Sequence, residues 1–139
     1  PVYQAGTLSG NPLATAAGLA VLSRLDGAAY AALEERAASL AAGLESAFAA
    51  AGLPAQVPRV GPLVGLFFAA APVGDYDAAK EADAKRYAVF FHALLERGVY
   101  FPPSPFEALF VSLAHAPEDL EATAEAAAEA AREVAAHSG

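Results

Sequence analysis

The run Pro12–Leu22 is apolar apart from Thr15, and it limits what this chain can become more than any other stretch. Asn11-Pro12 marks a helix start, because an Asn side chain caps free N–H groups and a proline at the first helical position lacks a donor that would otherwise be orphaned. The expected helix covers 12–25. Its apolar character runs all the way round, which requires burial on several sides, and Ala14, Ala16, Ala17, Gly18 and Ala20 permit close backbone approach. A 139-residue chain has little other surface behind which to hide such a helix. The pattern therefore predicts a long buried helix between domains or subunits, with some of its cover supplied from outside these residues. At this length the run is too short to span a bilayer, which takes about 20 residues.

The remainder alternates helical and extended patterns. Leu33, Ala37, Leu40, Leu44 and Phe48 recur at spacings of three and four, predicting a helix over 27–51 that Gly52 and Pro54 terminate. Between Gln56 and Ala69 the apolar residues are interrupted by Pro58 and Gly61-Pro62, as in two short strands joined by a turn. A loop over 70–77 precedes a helix over 78–97 that buries Tyr87, Phe91 and Leu94 and closes at Gly98. Strands are expected at 99–101 and 108–114, on either side of the Pro102-Pro103-Ser104-Pro105 loop. A last helix follows over 117–136, with Glu118 and Asp119 at its positive end. This order predicts an α+β fold, in which a small antiparallel sheet of about four strands is covered on one face by helices. Residues 1–25 would be a loop and interdomain helix, and 26–139 the α+β domain.

Composition narrows the function classes. A net charge of −8, with eight scattered basic residues, offers no footprint for nucleic acid. No cysteine is present, so there is neither a disulfide framework nor a thiolate metal site, which suits a cytoplasmic protein. A hydrophobic fraction of 56% supports one compact core. The chain opens on Pro1 and has no methionine, so it is expected to be part of a longer polypeptide, and no membrane partner is expected.

Several catalytic templates fail on spacing. Gly6-Thr7-Leu8-Ser9-Gly10 lacks the Gly-x-Ser-x-Gly spacing of a nucleophile elbow and the Gly-Lys pair of a P-loop. Asp75 and Asp77 begin like a calcium loop, but Lys80 and Arg86 stand where that loop needs Gly and Glu. His92, His115 and His137 are dispersed and make no zinc pattern. Two candidates remain. Gly6 and Thr7, just before the Asn11-capped helix, could cradle a phosphate: glycine admits an anion close to the backbone, and threonine offers a hydroxyl and an N–H. The same residues also suit an ordinary loop and cap. Glu107 ends the proline-stiffened loop, where its carboxylate could be held in place for a ligand or could simply be solvated.

The residues also resemble a known family. Tyr3-Gln4-Ala5-Gly6-Thr7-Leu8-Ser9-Gly10-Asn11-Pro12-Leu13-Ala14 looks like the Gly-Thr-Leu-Ser-Gly-Asn-Pro motif of glutamate-1-semialdehyde aminomutases, class-III aminotransferases of fold type I. Phe90-Phe91-His92, Leu95-Glu96-Arg97-Gly98-Val99-Tyr100, Pro103-Ser104-Pro105-Phe106-Glu107-Ala108 and Phe110-Val111-Ser112-Leu113-Ala114-His115 are similar to the C-terminal region of the same family, in the same order. The likeness covers nearly the whole chain. It implies a homodimer using pyridoxal 5'-phosphate, in which Gly6 and Thr7 help bind the cofactor phosphate of the partner subunit's site, and in which Glu107 positions or gates the substrate. It implies isomerisation of an amino-aldehyde, glutamate 1-semialdehyde, to 5-aminolevulinate for tetrapyrrole synthesis. The Schiff-base lysine would lie in a missing N-terminal portion, so no catalytic residue is expected here and these residues alone should be inactive.

The sequence departs from the family at Gly61-Pro62-Leu63, where Gly-Ser-Met is usual, and at Ala116, which replaces a capping threonine at a cost of about 1 kcal/mol. Other class-III aminotransferases often carry an arginine beside the corresponding strand, and residues 100–115 hold none. A domain with only a packing or regulatory role is the remaining alternative. Lys80 and Lys85, the only lysines, sit on a charged stretch unlike the cofactor-lysine motif. The isolated chain mixed with pyridoxal phosphate should therefore show no Schiff-base absorbance band, and a band would give one of these lysines a role denied to it here.

Overall fold

The fold is seen in a computed structural model that describes residues 2–137. Five helices and three two-residue strands follow in the order α1 Pro12–Leu22, α2 Gly27–Ala50, β1 Arg59–Val60, β2 Leu63–Val64, α3 Tyr76–Lys80, α4 Ala84–Glu96, β3 Leu109–Phe110 and α5 Pro117–Ala136. The expected α+β architecture is present. The strands form one antiparallel sheet in the order β1-β2-β3, with Arg59 opposite Val64, Val60 opposite Leu63, Leu63 opposite Phe110 and Val64 opposite Leu109. Successive strand residues face opposite sides. Val64 and Leu109 accordingly enter the core, while Val60, Leu63 and Phe110 face outward.

Capping chemistry sets the helix boundaries. The Asn11 carboxamide oxygen accepts from the Ala14 N–H, and Asp26, Asp75 and Asp83 do the same for α2, α3 and α4. Asp75 and Asp83 explain why the helix expected over 78–97 is divided: each starts a helix of its own, and the Asp83 N–H also donates to the Phe68 carbonyl at 2.9 Å. α2 and α4 end alike, in Schellman motifs. Gly52 and Gly98 adopt φ of +67° and +80°, and the next residues, Leu53 and Val99, donate back to Phe48 and Leu94. At α5 the Asp119 carboxylate accepts from the Ala116 N–H at 2.7 Å, which is half of a capping box; alanine has no side-chain acceptor for the other half.

α2 packs against α5 and against β1 and β2, and α4 packs against α5. Small residues suit the α2–α5 approach: Ala37 and Ala41 are buried on α2, and Ala127, Ala130 and Ala131 form a fully buried row on α5. A Cβ added to Gly43 would lie 2.9 Å from the Ala124 methyl. Phe48, Phe68 and Phe90 meet edge to face with ring centroids 5.1–5.7 Å apart, and Phe101 joins Phe90 at 6.4 Å. Arg97 at the end of α4 holds Glu129 and Glu133 of α5 at 3.1 and 3.3 Å and donates to the Ala93 carbonyl. Its bond to Glu129 is the first reason that its pKa is raised.

Three expectations need correction. α4 buries Tyr87, Phe90, Ala93 and Leu94, and Phe91 lies only half-buried beside them. The sheet has three strands, because 99–101 has no ladder partner among the described residues and 108–114 pairs only at Leu109–Phe110. The helix expected over 12–25 ends at Leu22. Its Leu13, Leu19, Val21 and Leu22 are open to solvent, and among the described residues nothing covers them.

Tyr87 ties α4 to the proline loop. Its buried hydroxyl donates to the Pro102 carbonyl at 2.7 Å. Burial, aided by the negative charge of Glu107, raises its pKa from 10 to about 12. The folded state thus holds this proton more tightly than the unfolded chain, so the stability linked to it is whole below pH 10 and is lost as pH rises toward 12. Tyr87→Phe should abolish that alkaline fall in the denaturation midpoint and cost about 1–3 kcal/mol at neutral pH by orphaning the carbonyl. Gly43→Ala should cost about 1–3 kcal/mol through the forced α2–α5 separation, read as a lowered midpoint with unchanged m-value.

Candidate functional site

The first candidate is the loop before α1. The Ser9 N–H donates to the Gly6 carbonyl at 3.1 Å and the Asn11 N–H to Leu8 at 3.0 Å, so residues 6–11 turn sharply into the helix. A Cβ at Gly6 would stand 2.8 Å from the Ser9 hydroxyl oxygen, a contact that rotation of the exposed serine side chain would relieve. Thr7 follows in the open. Neither its N–H nor its hydroxyl has a hydrogen-bond partner among the described residues. These two donors, a bare glycine and the positive end of α1 form a set that fits a phosphate group, such as that of a pyridoxal cofactor.

The second candidate, Glu107, lies elsewhere in the fold. The Phe106 N–H donates to the Ser104 hydroxyl and the Glu107 N–H to the Ser104 carbonyl, both at 3.2 Å, closing a turn at the end of the proline loop. Tyr87 anchors the start of that loop at Pro102, and the rings of Phe106 and Tyr76 approach to 6.1 Å. Glu107 is exposed but emerges from a braced segment. It borders a groove of about 760 Å³ that residues 98–103 and 107–111 flank, with His115, Asp119 and Thr123 also lining it. Gly6 and Thr7 do not line this groove, so the chain does not gather its candidate residues into one pocket. Among the described residues no group of three or more His, Asp or Glu side chains could hold a metal ion.

Two positioning residues escaped the sequence reading. Tyr87 was legible as buried, and a buried phenol demands a partner; that the partner is Pro102 depends on where the loop crosses α4. Ser104 offered no signal beyond its place among prolines. His115 adds a local lock, its Nδ1 accepting from the Ser112 N–H at 3.0 Å, while Arg36 of α2 reaches the Ser112 carbonyl at 3.2 Å.

No protein-family model matches the chain. Curated relatives do match. A protein of Anaeromyxobacter sp. (strain Fw109-5) named glutamate-1-semialdehyde 2,1-aminomutase is 54% identical over 126 residues, which is 91% of this chain and 29% of the relative. Proteins of the same name from Sorangium cellulosum and Thermus thermophilus are 54% and 52% identical, over 88% and 91% of the chain and 28% and 30% of theirs. The chain spans about 30% of the length of these relatives. Among solved structures, a transaminase with PLP bound superposes with a TM-score of 0.79 at 24% identity, covering 98% of this chain and 30% of that one. A β-phenylalanine aminotransferase from Variovorax paradoxus gives 0.77 at 28% identity, covering 93% and 30%. In sequence the chain is therefore similar to somewhat under a third of a glutamate-1-semialdehyde 2,1-aminomutase, and its fold is that of the matching part of the transaminases.

Proposed function

We propose that this chain is the C-terminal part of a cytoplasmic, homodimeric aminomutase that uses pyridoxal 5'-phosphate to convert glutamate 1-semialdehyde to 5-aminolevulinate for tetrapyrrole synthesis, and that it is inert without the preceding part of its polypeptide. The observation that carries this reading is the pairing of an open Gly6-Thr7 donor set with an apolar α1 that nothing among the described residues covers. A phosphate-binding loop exposed beside an uncovered helix makes sense as one component of a site assembled from several parts. The identity of 51–54% to aminomutases along nine-tenths of the chain supports the same assignment.

In this reading residues 1–25 are the phosphate-contact loop and interdomain helix, and 26–139 the small α+β domain. Thr7 donates its hydroxyl and N–H hydrogens to phosphate oxygens of the partner subunit's cofactor, while Gly6 lets the backbone come close. The cofactor, when bound, supplies an electron sink for the transfer of the amino group between neighbouring carbons. Glu107, fixed by Ser104 and the loop that Tyr87 anchors, accepts a hydrogen bond from the substrate's ammonium group or gates its entry.

The test is to express the chain joined to its missing portion, look for pyridoxal absorbance, and assay 5-aminolevulinate formation. Loss of one charge-assisted hydrogen bond is worth roughly 1.5–3 kcal/mol. Thr7→Ala should therefore weaken cofactor binding by roughly 10- to 100-fold, and an unchanged affinity would mean that the phosphate is held elsewhere. Glu107→Gln should lower kcat/KM for the amino-aldehyde with little effect on cofactor affinity. Transamination of an α-keto acid faster than isomerisation would replace the aminomutase with an ordinary class-III aminotransferase.

A further inference from the structure

Glu107 ends a loop that is tied to the body of the domain by very little. Residues 100–106 belong to no helix or strand. Among the described residues, the only hydrogen bond that another element makes to them is the one from the Tyr87 hydroxyl of α4 to the Pro102 carbonyl, at 2.7 Å. The other bonds are internal to the loop, with the Phe106 and Glu107 N–H groups both returning to Ser104, so they travel with the loop wherever it goes. Phe101 adds apolar burial at the entrance, which holds the segment down without setting its direction. From Pro102 onward the backbone is stiff. Pro102, Pro103 and Pro105 fix their own φ and bias each preceding residue toward extended conformations. A shift at Pro102 is therefore poorly absorbed along the way and is passed on to Glu107.

We propose that Tyr87 is a positioning residue for the reaction: its hydroxyl, acting through the Pro102 carbonyl and the proline loop, holds the Glu107 carboxylate where the substrate meets it. The proposal rests on the reading above that Glu107 contacts or gates the amino-aldehyde, and adds the residue that controls that contact. Packing alone does not call for this hydroxyl. The Tyr87 ring is 2% exposed, and a phenylalanine would fill the same space; the oxygen is what reaches the loop. Glu107 is also close enough for its charge to be felt at that oxygen, where it adds to burial in raising the phenol's pKa to about 12. A phenol that keeps its proton so far above neutrality remains a donor to Pro102 throughout the neutral range. The contact of Phe106 with Tyr76 cannot replace this anchor, because both rings are exposed and the contact has no hydrogen bond to fix it.

The test compares wild type, Tyr87→Phe, Glu107→Gln and the double variant in the full-length protein. Tyr87→Phe should lower kcat/KM for glutamate 1-semialdehyde by roughly 10- to 100-fold, the scale of a small misplacement of a substrate-contacting group, with cofactor affinity unchanged. In the Glu107→Gln background the same change should cost less than about 2-fold, because the carboxylate it positions is already gone. Equal losses in both backgrounds, or no loss in either, overturn the proposal. Where Tyr87→Phe is too unstable to assay, Pro103→Ala decides: it loosens the same loop at an exposed position, leaves the core untouched, and should show the same dependence on Glu107. A second readout needs neither cofactor nor turnover. In the unloaded protein Tyr87→Phe should speed amide exchange at Phe106 and Glu107 by roughly 10-fold more than at Leu44 in the core of α2, and a uniform change at all three overturns the anchor. A protein that keeps this exchange difference but forms no 5-aminolevulinate overturns the activity assigned above and leaves Tyr87 as the anchor of Glu107. A Glu107→Gln variant with wild-type kcat/KM overturns both.

Discussion

The cluster of Phe48, Phe68, Phe90 and Phe101 is the junction on which the rest of the structure depends. Its four rings come from α2, from the chain leaving β2, from α4 and from the segment after α4, so it ties α2 and α4 to the chain on either side of them. Edge-to-face packing adds about 0.5–1.5 kcal/mol per pair to the burial of each ring. Around this junction the helices need only small residues to close up, and the alanine rows of α2 and α5 supply them. The proline loop is then held from below: Phe101 enters the core, the next carbonyl receives the Tyr87 hydroxyl, and Glu107 emerges at the end of a segment whose path is already determined.

Features with a local cause were legible in the sequence. The Asn11 cap, the glycine ends of α2 and α4, the apolar stripe of α2 and the Gly61-Pro62 turn each follow from a few neighbouring residues, and each is present. Errors arose where distant parts decide the outcome. Val99–Phe101 has strand chemistry, but a strand needs a ladder partner, and among the described residues none lies beside it. The Asp75 and Asp83 caps divided a helix whose periodicity looked continuous through residues 78–97, because a carboxylate bound to backbone N–H groups starts a helix whatever the apolar pattern around it. The apolar composition of α1 was legible too, but its burial was not decided by local residues: among the described residues its apolar side chains stay exposed.

The candidate site shows the same division between local and distant causes. The Gly6-Thr7 turn and its capped helix could be read from six adjacent residues. Glu107 could be picked out by its prolines, but its bracing by Ser104, Tyr87 and Phe106 depends on tertiary packing. Gly6 and Thr7 do not line the groove that Glu107 borders, and no local pattern in the sequence could have decided that.

The pairing of α2 with α5 also has a kinetic consequence. These helices come from opposite ends of the described domain, and the Gly43–Ala124 approach that seals them joins residues far apart in sequence. Each helix is alanine-rich and can nucleate quickly, but the contacts that reward the ordering of the chain form only when α5 returns to α2 after α3, α4 and the sheet have been threaded between them. Loop closure of that length precedes its compensation, so the domain should collapse fast and consolidate slowly, with the arrival of α5 as the rate-setting event.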